Sequence, residues 1–400
     1  MFGLDQVRPS PKKVAILHDW CFSKRGGERV LESFLEMFPD ADLYMLFGRT
    51  HFLEHLGTRK VFFSALNSLP WIEKYYKLLL PVFPFVIESF NLNEYDLVIS
   101  SSHCVAKGCI PAPGAFHVSY VHSPMRYVWD QRFVYFPFLK SSSTSKWMNL
   151  LKLIWGIPFT YLRLWDTLSH VRVNLLISNS EFVSQRVRSF YGRNSRVLFP
   201  PVDTKRFQSQ LGGPKVNSNR QKSVLLFGEW APYKKMESAL DALLKEGIHV
   251  TAAGKGKKLL ELSKKYKDHP GLDIVYSPSD QDVVQLYNRC HLLLLPGVED
   301  AGIVPLEAQA CGVFVVGPNK GGTLNSVLDG VTGFLFESES VSDMILKVKM
   351  GLEKPLDPAT QEVLRRHVNR FDTTEFKKHF IEIFEHEWSQ FKGFKEKNLG

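Results

Sequence analysis

The stretch HLLLLPGVEDAGIVPLEAQACG, residues 291–312, decides the predicted fold of this chain. Its opening apolar run is typical of a strand buried on both faces of a parallel sheet. After a loop, Pro305 suits the first turn of a helix, where its missing N–H costs nothing, and Gly312 suits the position just after the helix. The loop therefore joins the carboxyl end of a strand to the positive end of a helix, where open α/β sheets bind anions.

Two carboxylates belong to this stretch, Glu299 in the loop and Glu307 in the expected first helical turn, so both can line one pocket. Taken singly, Glu307 is explained by the helix dipole and Glu299 as a solvated loop acid. Together, beside the small residues Ala301 and Gly302 that let backbone N–H groups approach a ligand, they resemble the E-x7-E signature of family 4 retaining glycosyltransferases. This resemblance implies the GT-B fold.

Composition sets the broad class of the protein. A chain of 400 residues is too long for one compact core and predicts two domains. The net charge of +9 favours anionic partners such as nucleotide sugars, lipid phosphates or an acidic membrane face. Nucleic acid is disfavoured because the basic residues are dispersed and no nucleic-acid motif is present. The five cysteines are odd in number and lack CxxC spacing, which favours a reducing compartment and argues against a zinc site.

Strand-like runs alternate with helical segments, as a doubly wound α/β fold requires. The polar stretch 208–222 is predicted to connect two Rossmann-like domains facing a cleft, residues 1–207 and 208–373, and residues 374–400 a helix that returns to the first domain, as in GT-B proteins. No apolar core precedes Val14, so we expect no secretory signal and a cytoplasmic location. The strands are predicted at residues 14–17, 41–47, 96–100, 115–121, 173–178, 223–227, 250–253, 272–276, 313–316 and 333–336, besides the run at 291.

The first domain offers a glycine pair and a histidine as candidate site residues. Gly26 and Gly27 lie between a strand and a helix, where a tight turn is the commoner explanation, and the resemblance places such a loop beside the donor phosphates and the acceptor. SSSHCVAKG (100–108) and YVHSPMRYVWDQ (120–131) closely resemble bacterial mannosyltransferase-like members of family 4 that build O-antigen and other surface polysaccharides. The resemblance assigns His122 to contact with the donor sugar. It gives the acceptor side Arg126, Trp129 and Asp130.

The second domain offers Lys234, at a loop-to-helix junction, with Lys235 next to it. Its setting matches the family's lysine, which neutralises the departing diphosphate. Two residues depart from the family pattern: Glu229 stands where most members have arginine, and Asn325 where relatives usually have glutamate. A carboxylate beside a diphosphate is repulsive unless it turns away or pairs with one of the two lysines.

Residues 146–165, KWMNLLKLIWGIPFTYLRLW, combine aromatic and basic side chains. Pro158 and the internal charges argue against a helix that spans a membrane. The segment suits peripheral contact with an anionic membrane, at the inner face of the cytoplasmic membrane. A helix packed inside the first domain buries a similar stripe, and the two alternatives stay open.

The resemblance implies a hexosyltransferase that works with retention and without metal or cofactor. Its substrates would be a GDP- or UDP-linked sugar, with GDP-mannose favoured, and a lipid-linked or polysaccharide acceptor. Glu307 would accept hydrogen bonds from the ribose, Glu299 would orient the sugar and Ser277 would lie by the base. Preorganised N–H groups can stabilise the leaving diphosphate. The loop backbone that assists consists of Asp300, Ala301, Gly302 and Ile303.

Two alternatives compete with the enzyme. Glu229 and Asn325 favour a catalytically silent relative that still binds sugar nucleotide. The segment 146–165 favours a membrane-docked scaffold of a glycan-assembly complex. The intact E-x7-E pattern, Lys234 and His122 favour the enzyme.

Overall fold

The computed structural model describes residues 11–23, 26–140, 145–209 and 222–399, and these form two compact units. One unit contains the described residues up to Pro201 and those from Phe376 onward, and the other is Val202–Glu375. The predicted boundary between the two domains lay after residue 207. Phe207 lies instead in the second unit, where its carbonyl accepts a hydrogen bond from the Cys311 thiol at 3.7 Å.

The first unit is built on a seven-stranded parallel sheet. Its strands are β1 (Val14–Cys21), β2 (Asp42–Gly48), β3 (Val61–Phe63), β4 (Leu97–Ser102), β5 (Phe116–Val121), β6 (Leu175–Ser178) and β7 (Arg196–Val197). They are ordered β3-β2-β1-β4-β5-β6-β7. The helices are α1 (Gly26–Met37), α2 (Ile72–Tyr75), α3 (Phe83–Glu88), α4 (Arg132–Tyr135), α5 (Lys146–Ser169) and α6 (Glu181–Tyr191). Short 3-10 turns cover Thr50–Phe52, Ala65–Ser68, Tyr76–Val82, Ala106–Gly108, Pro137–Lys140 and His170–Arg172.

The second unit is built on a six-stranded parallel sheet. In chain order its elements are α7 (Thr204–Ser209), β8 (Val224–Glu229), α8 (Met236–Lys245), β9 (Val250–Lys255), α9 (Lys257–Lys265), β10 (Leu272–Tyr276), α10 (Asp280–Arg289), β11 (Leu292–Leu294), α11 (Ile303–Ala310), β12 (Phe314–Pro318), α12 (Thr323–Ser326), β13 (Gly333–Phe336), α13 (Val341–Glu353) and α14 (Pro358–Asn369). The strands are ordered β10-β9-β8-β11-β12-β13. The predicted doubly wound α/β class is confirmed.

The last helix, α15 (Thr373–Leu399), begins in the second unit and packs on the first. Its buried apolar side chains recur at helical spacing and lie in one cluster with the apolar face of α1 and the underside of the sheet. Phe380, for example, lies 4.9 Å from Phe34 of α1 between ring centroids. The other side chains of this face are Phe376, Ile381, Phe384 and Trp388.

One predicted strand end and one predicted placement in a helix were wrong. The first strand was expected to end at Leu17, before the polar pair His18 and Asp19, but β1 continues to Cys21, and both buried side chains make hydrogen bonds, His18 through Nδ1 and Asp19 through its carboxylate. The helix after the key loop begins at Ile303, so Pro305 lies in its first turn as predicted, but Glu307 is its fifth residue and lies beyond that turn.

Helix α5 is one continuous element of 24 residues, with Pro158 inside it. Its inner face is buried in the first unit through Phe159, Leu162 and Trp165. Its outer face leaves large apolar side chains exposed. The helix therefore has both a packed face and an exposed apolar face. Among the described residues, no helix is long and apolar enough to cross a membrane.

A buried ion pair fixes α5 to the loop after β4. Lys107 Nζ lies 2.8 Å from Asp166 Oδ1 and donates to Ser169 Oγ at 2.6 Å, and both charged side chains are almost completely buried. Asp166 Oδ2 accepts two hydrogen bonds, from Trp129 Nε1 at 2.7 Å and from the Tyr191 hydroxyl at 3.0 Å. The ion pair at one oxygen and the two hydrogen bonds at the other offset the lost hydration of the carboxylate.

We predict that Lys107→Met destabilises the first unit by about 3–5 kcal/mol, because it leaves the Asp166 carboxylate buried without its cation. Urea unfolding followed by tryptophan fluorescence measures the change. Arg49→Met is the control, since Arg49 pairs with Glu73 at 3.0 Å on an exposed surface and should contribute much less. Equal effects of the two substitutions would contradict the assigned role of burial.

Candidate functional site

The second unit brings Lys234 and Glu299 together. Lys234 ends a 3-10 turn (Pro232–Lys234) after β8, and Glu299 lies in the loop between β11 and α11. Lys234 Nζ and Glu299 Oε1 are 2.7 Å apart, and both side chains are largely buried. Gly297 allows this approach, since a Cβ there would lie 2.7 Å from Lys234 Cα. The sequence motif and the lysine, 65 positions apart (299 − 234), thus share one site.

Electrostatics keep Lys234 charged. Burial lowers the pKa of its ammonium, but the charges of Glu299 and Glu229 and the hydrogen bond to Glu299 outweigh burial and raise the pKa above its ordinary value. The ammonium therefore remains a cation that a ligand oxygen could reach if Glu299 moved away.

Glu229, which stands where most members of the resembled family have arginine, does not pair with Lys234. Glu229 is the exposed last residue of β8, and the ion-pair partner of Lys234 is Glu299 rather than Glu229. Lys235 adopts the left-handed conformation, with φ of 53°, and extends to Glu339 at the surface, 2.6 Å away. The two neighbouring lysines therefore differ: Lys234 is mostly buried in the site and Lys235 is 40% exposed.

Glu307 lies inside α11 as a buried carboxylate. Its Oε2 accepts a hydrogen bond of 3.2 Å from the hydroxyl of Tyr287. Burial, and next the charge of Glu307, raise the pKa of Tyr287, so this hydroxyl stays a proton donor. Gly302 begins the helix with φ of 68°, a left-handed conformation that glycine adopts without strain.

Gly321 and Gly322 pack against the backbone of this loop and support it, a role that was not predicted from the sequence. Gly322 N donates to the Glu299 carbonyl at 2.8 Å. A Cβ on Gly321 would lie 2.5 Å from that same carbonyl oxygen, and one on Gly322 would lie 2.6 Å from the carbonyl carbon of Ala301. The pair of glycines after β12 was the available signal, because such a pair often marks a close backbone approach.

The other residues discussed from the sequence of the second unit lie in its loops and at the starts of its helices. Ser277 follows β10 with φ of 52°, and its N–H donates to the Gly254 carbonyl at 2.7 Å. Asn325 lies in α12, and its buried Oδ1 has no hydrogen-bond partner among the described residues. Asp300, Ala301 and Ile303 are part of the loop and the start of α11.

The first unit contains a cavity of about 250 Å³ at the carboxyl ends of its strands. Gly27 and His122 both line it, and a Cβ on Gly27 would lie 3.7 Å from the His122 ring. Gly26 is the first residue of α1. The other lining residues are His18, Trp20, Phe22, Ser23, Glu28, Tyr76, His103 and Tyr127.

His122 belongs to a chain of hydrogen-bonded side chains. Its Nε2 lies 2.8 Å from Ser101 Oγ, and the same Oγ lies 3.1 Å from His18 Nδ1. Burial, followed by the nearby rings of His103 and His18, lowers the pKa of His122 well below its ordinary value. Burial lowers the pKa of His18 to about 4. Both imidazoles are therefore neutral at physiological pH.

Asp19 supports this wall and was also missed from the sequence. Its carboxylate accepts four backbone N–H groups, from residues 103–106, at 2.6–2.9 Å. It also lies 3.1 Å from His103 Nδ1. The signal was the polar pair His18 and Asp19 at the end of an apolar strand, since buried carboxylates are kept only where donors converge.

The three predicted acceptor-side residues do not line this cavity. Arg126 Nε lies 3.9 Å from Asp130 Oδ2, and Asp130 Oδ1 accepts from Arg186 Nη2 at 2.8 Å. Trp129 donates to Asp166 and stacks on Phe190 with centroids 4.5 Å apart, so its contacts are structural. Among the described residues, no three histidine, cysteine or acidic side chains are placed to hold a metal ion.

Comparisons with known proteins point to glycosyl transfer. Residues 214–367 match the family model described as Glycosyl transferases group 1. The chain is 30% identical over 131 residues to a glycogen synthase of Pseudomonas paraeruginosa, covering 31% of this chain and 25% of that protein. It is 26% identical over 268 residues to the human alpha-1,3/1,6-mannosyltransferase ALG2, covering 56% of this chain and 64% of that protein. The chain thus spans less than two thirds of either relative.

The solved structure of Anabaena Alr3699/HepE in complex with UDP-glucose superimposes with a TM-score of 0.62 at 17% identity, over 93% of this chain and 99% of that one. At this identity the likeness shows the fold alone. Two Rossmann-like parallel-sheet domains make this chain a GT-B protein by fold, and residues 214–367 are the part that matches the glycosyl transferases group 1 family.

Proposed function

We propose that this chain is a retaining glycosyltransferase that moves a sugar from a nucleotide donor to a lipid-linked or polysaccharide acceptor in the cytoplasm. The observation that carries the proposal is the Lys234–Glu299 ion pair in the loop that also holds Glu307. This constellation lies within the part of the chain that matches the glycosyl transferases group 1 family.

Charge stabilisation is the main demand of the reaction, because the diphosphate gains negative charge as the glycosidic bond breaks. Lys234 supplies the cation, and its ion pair with Glu299 keeps the ammonium charged and in position. A bound diphosphate would replace Glu299 as the ion-pair partner of Lys234. The Glu299 carboxylate could then accept hydrogen bonds from sugar hydroxyls. Loop N–H groups and the start of α11 add donors, and no cofactor or metal is required by this scheme.

The donor is proposed as a GDP- or UDP-linked sugar. Mannose is supported by the name of the human mannosyltransferase relative, and GDP-mannose is the donor that we propose for it. UDP is supported by the ligand of the Anabaena structure. Glu307 suits the ribose in either case, because a buried carboxylate accepts from vicinal hydroxyls while Tyr287 holds it.

A silent sugar-nucleotide-binding relative is the second candidate. Glu229 adds a negative charge at the end of β8, near enough to Lys234 to raise its pKa, and therefore opposes a diphosphate. In this case the protein would bind a nucleotide weakly and would not transfer sugar.

We predict saturable binding of one nucleoside diphosphate series when the protein is titrated by calorimetry with GDP, UDP and ADP and their sugar conjugates. Glu307→Ala should weaken that binding by about 10- to 150-fold, because a carboxylate hydrogen-bonded to a diol contributes about 1.5–3 kcal/mol. Tyr287→Phe is the control that keeps the carboxylate and should have a much smaller effect. If no nucleotide bound, the result would contradict the proposed transferase function.

Lys234→Met should lower the affinity for the same nucleoside diphosphate by about 10- to 150-fold, since it removes a charged donor to phosphate. Lys235→Met should lower it less, because that side chain extends to the surface. Lys258→Met, on the exposed face of α9, is the control without effect. A larger loss for Lys235→Met than for Lys234→Met would reverse the assignment of the diphosphate lysine. Calorimetric titration measures all three.

We further propose that α5 docks the first unit on an anionic membrane. Exposed apolar side chains recur on its outer face at spacings of three, four and seven residues, including Trp147 at 77%, Leu153 at 69% and Ile157 at 70% exposed. Lys146, Lys152 and Arg163 supply positive charge on the same helix. Their neighbours on the stripe are Leu150, Ile154, Leu164 and Leu168. Such a face suits the boundary between headgroups and acyl chains.

The double substitution Leu153→Glu and Ile157→Glu should reduce binding to vesicles of phosphatidylcholine and phosphatidylglycerol at least tenfold in a flotation assay. The expected size follows from about 1.5–3 kcal/mol for each large apolar side chain inserted. Leu346→Glu, at a similarly exposed apolar residue of α13, is the matched control. Equal binding of all three proteins, or no binding by the unaltered protein, would show that this face has another role.

A further inference from the structure

We infer that the first unit has a binding site for the phosphate group of a lipid, formed beside its cavity by Lys77, Arg132 and Arg163, here called the cationic patch. The ligand is an acceptor whose sugar enters the cavity and whose apolar chain leaves across the neighbouring surface. The inference deepens the proposed function, on which it rests for the role of the lipid, and it favours a lipid-linked acceptor over a free polysaccharide.

The 3-10 turn Tyr76–Val82 borders both the cavity and an exposed apolar surface. Tyr76 lines the cavity, and its ring lies 5.1 Å from the ring of Trp20, another lining residue. Leu78 and Val82 of the same turn are 59% and 42% exposed. An exposed apolar surface next to a cavity is typical of a site for a ligand with a polar and an apolar part.

This apolar surface continues onto two helices. Phe85 of α3 is 65% exposed and stacks on Tyr161 of α5, with ring centroids 5.9 Å apart and 17° between the ring planes. Tyr161 lies four residues after Ile157, so it belongs to the face of α5 that we propose to meet a membrane. A lipid chain that leaves along this surface therefore reaches the proposed membrane contact.

Lys77 lies at the rim of the cavity. Its Nζ is 5.9 Å from the centre of the Tyr76 ring and 5.1 Å from the centre of the Tyr135 ring. The Tyr135 ring lies 4.6 Å from that of Tyr127, which also lines the cavity. The ammonium is thus held over two aromatic rings, between the cavity wall and the exposed side chains of the turn.

Arg132 and Arg163 place two further cations in this region. Arg132 begins α4, the short helix that ends at Tyr135. Arg163 lies one turn after Phe159 of α5, whose ring packs 4.9 Å from that of Phe136. Burial, followed by the charge of Arg132, lowers the pKa of Arg163, so the two half-buried guanidinium groups repel each other. A bound anion would relieve this repulsion.

No acidic side chain of the described residues lies within ion-pair distance of the cationic patch. The acids of residues 71–88, 126–135 and 146–169 are each paired with another cation at 2.6–3.0 Å: Glu73 with Arg49, Glu88 with Arg172, Asp130 with Arg186 and Asp166 with Lys107. Ammonium and guanidinium groups are the usual donors to phosphate. The patch therefore keeps a positive charge that an external phosphate can neutralise.

The order of these features matches one class of ligand. The cavity offers polar side chains and aromatic rings to a sugar, the cationic patch offers donors to a phosphate, and the exposed side chains offer an apolar surface to a lipid chain. A polysaccharide without a lipid phosphate would use only the first of these. A glycan joined to a lipid through phosphate uses all three.

The test is calorimetric titration of the full chain with farnesyl diphosphate, a soluble lipid diphosphate that needs no bilayer. We expect saturable binding, and inorganic diphosphate should bind at least about tenfold more weakly because it has no apolar chain to cover the exposed side chains. Equal affinity for the two compounds would indicate an anion site without a lipid, and absence of farnesyl diphosphate binding would indicate no site. Either result would overturn the inference.

Lys77→Gln and Arg163→Gln should each weaken the binding of farnesyl diphosphate by about tenfold, since each removes a charge-assisted hydrogen bond to phosphate. Lys74→Gln is the matched control. Lys74 also lies over a tyrosine ring, that of Tyr75 at 5.0 Å, but Tyr75 does not line the cavity. Equal losses for Lys77→Gln and Lys74→Gln would reject the assigned site.

Lys234→Met separates this site from the proposed nucleotide site of the second unit. It should leave the affinity for farnesyl diphosphate unchanged, whereas Lys77→Gln should leave the affinity for the nucleoside diphosphate unchanged. Loss of farnesyl diphosphate binding in Lys234→Met, with Lys77→Gln unaffected, would place the probe in the second unit and contradict the inference. If farnesyl diphosphate bound as expected and no nucleotide did, the proposed transfer reaction would fail while the lipid phosphate site would stand.

Discussion

Parallel strands buried on both faces impose the constraint on which the candidate sites depend. Their side chains must be apolar along most of their length, so polar groups are concentrated where the strands end. In the first unit His18 and Asp19 lie in the carboxyl-terminal half of β1, and Ser101 is the penultimate residue of β4. In the second unit Lys234 and Glu299 follow β8 and β11, which are paired neighbours. Residues far apart in sequence thus meet at one edge of each sheet.

In the second unit the same constraint leaves the Lys234 ammonium mostly buried, and the Glu299 carboxylate compensates its charge. A mostly buried ammonium would be costly to keep charged in isolation, and Glu299 offsets that cost at 2.7 Å. The pair therefore holds Lys234 in position before a ligand arrives. A diphosphate carries more charge than a carboxylate and can replace Glu299 without leaving Lys234 uncompensated, so the ion pair is compatible with a site that must remain intact when empty.

How much could be predicted from the sequence follows from which interactions are local. The alternation of strands and helices, and the loop with Glu299 and Glu307, are patterns within a short window and were recognisable. The chain from His18 through Ser101 to His122 was not, because it depends on strand register. His18 and Ser101 are opposite each other across β1 and β4, and His122 follows the next strand. A shift of one residue would send these side chains to opposite faces.

The position of Glu307 shows a further limit. The expected first-turn placement assumed that Pro305 marks the start of the helix, yet proline is accepted at any residue of the first turn, where no intrahelical N–H bond is lost. Gly302 decides the start, since its left-handed φ of 68° ends the loop and lets α11 begin at Ile303. Helix starts depend on a backbone conformation that several sequences allow, so residue type alone left the boundary undecided.

Helix α5 has a packed inner face and an exposed apolar outer face. Its inner face is fixed by a buried polar network, with Asp166 receiving Lys107, Trp129 and Tyr191, and such a network tolerates little displacement. Fixing one face in this way leaves the apolar stripe through Leu153 and Ile157 in a constant orientation on the other. The ionic anchor therefore helps to keep the stripe exposed, as the proposed membrane contact requires.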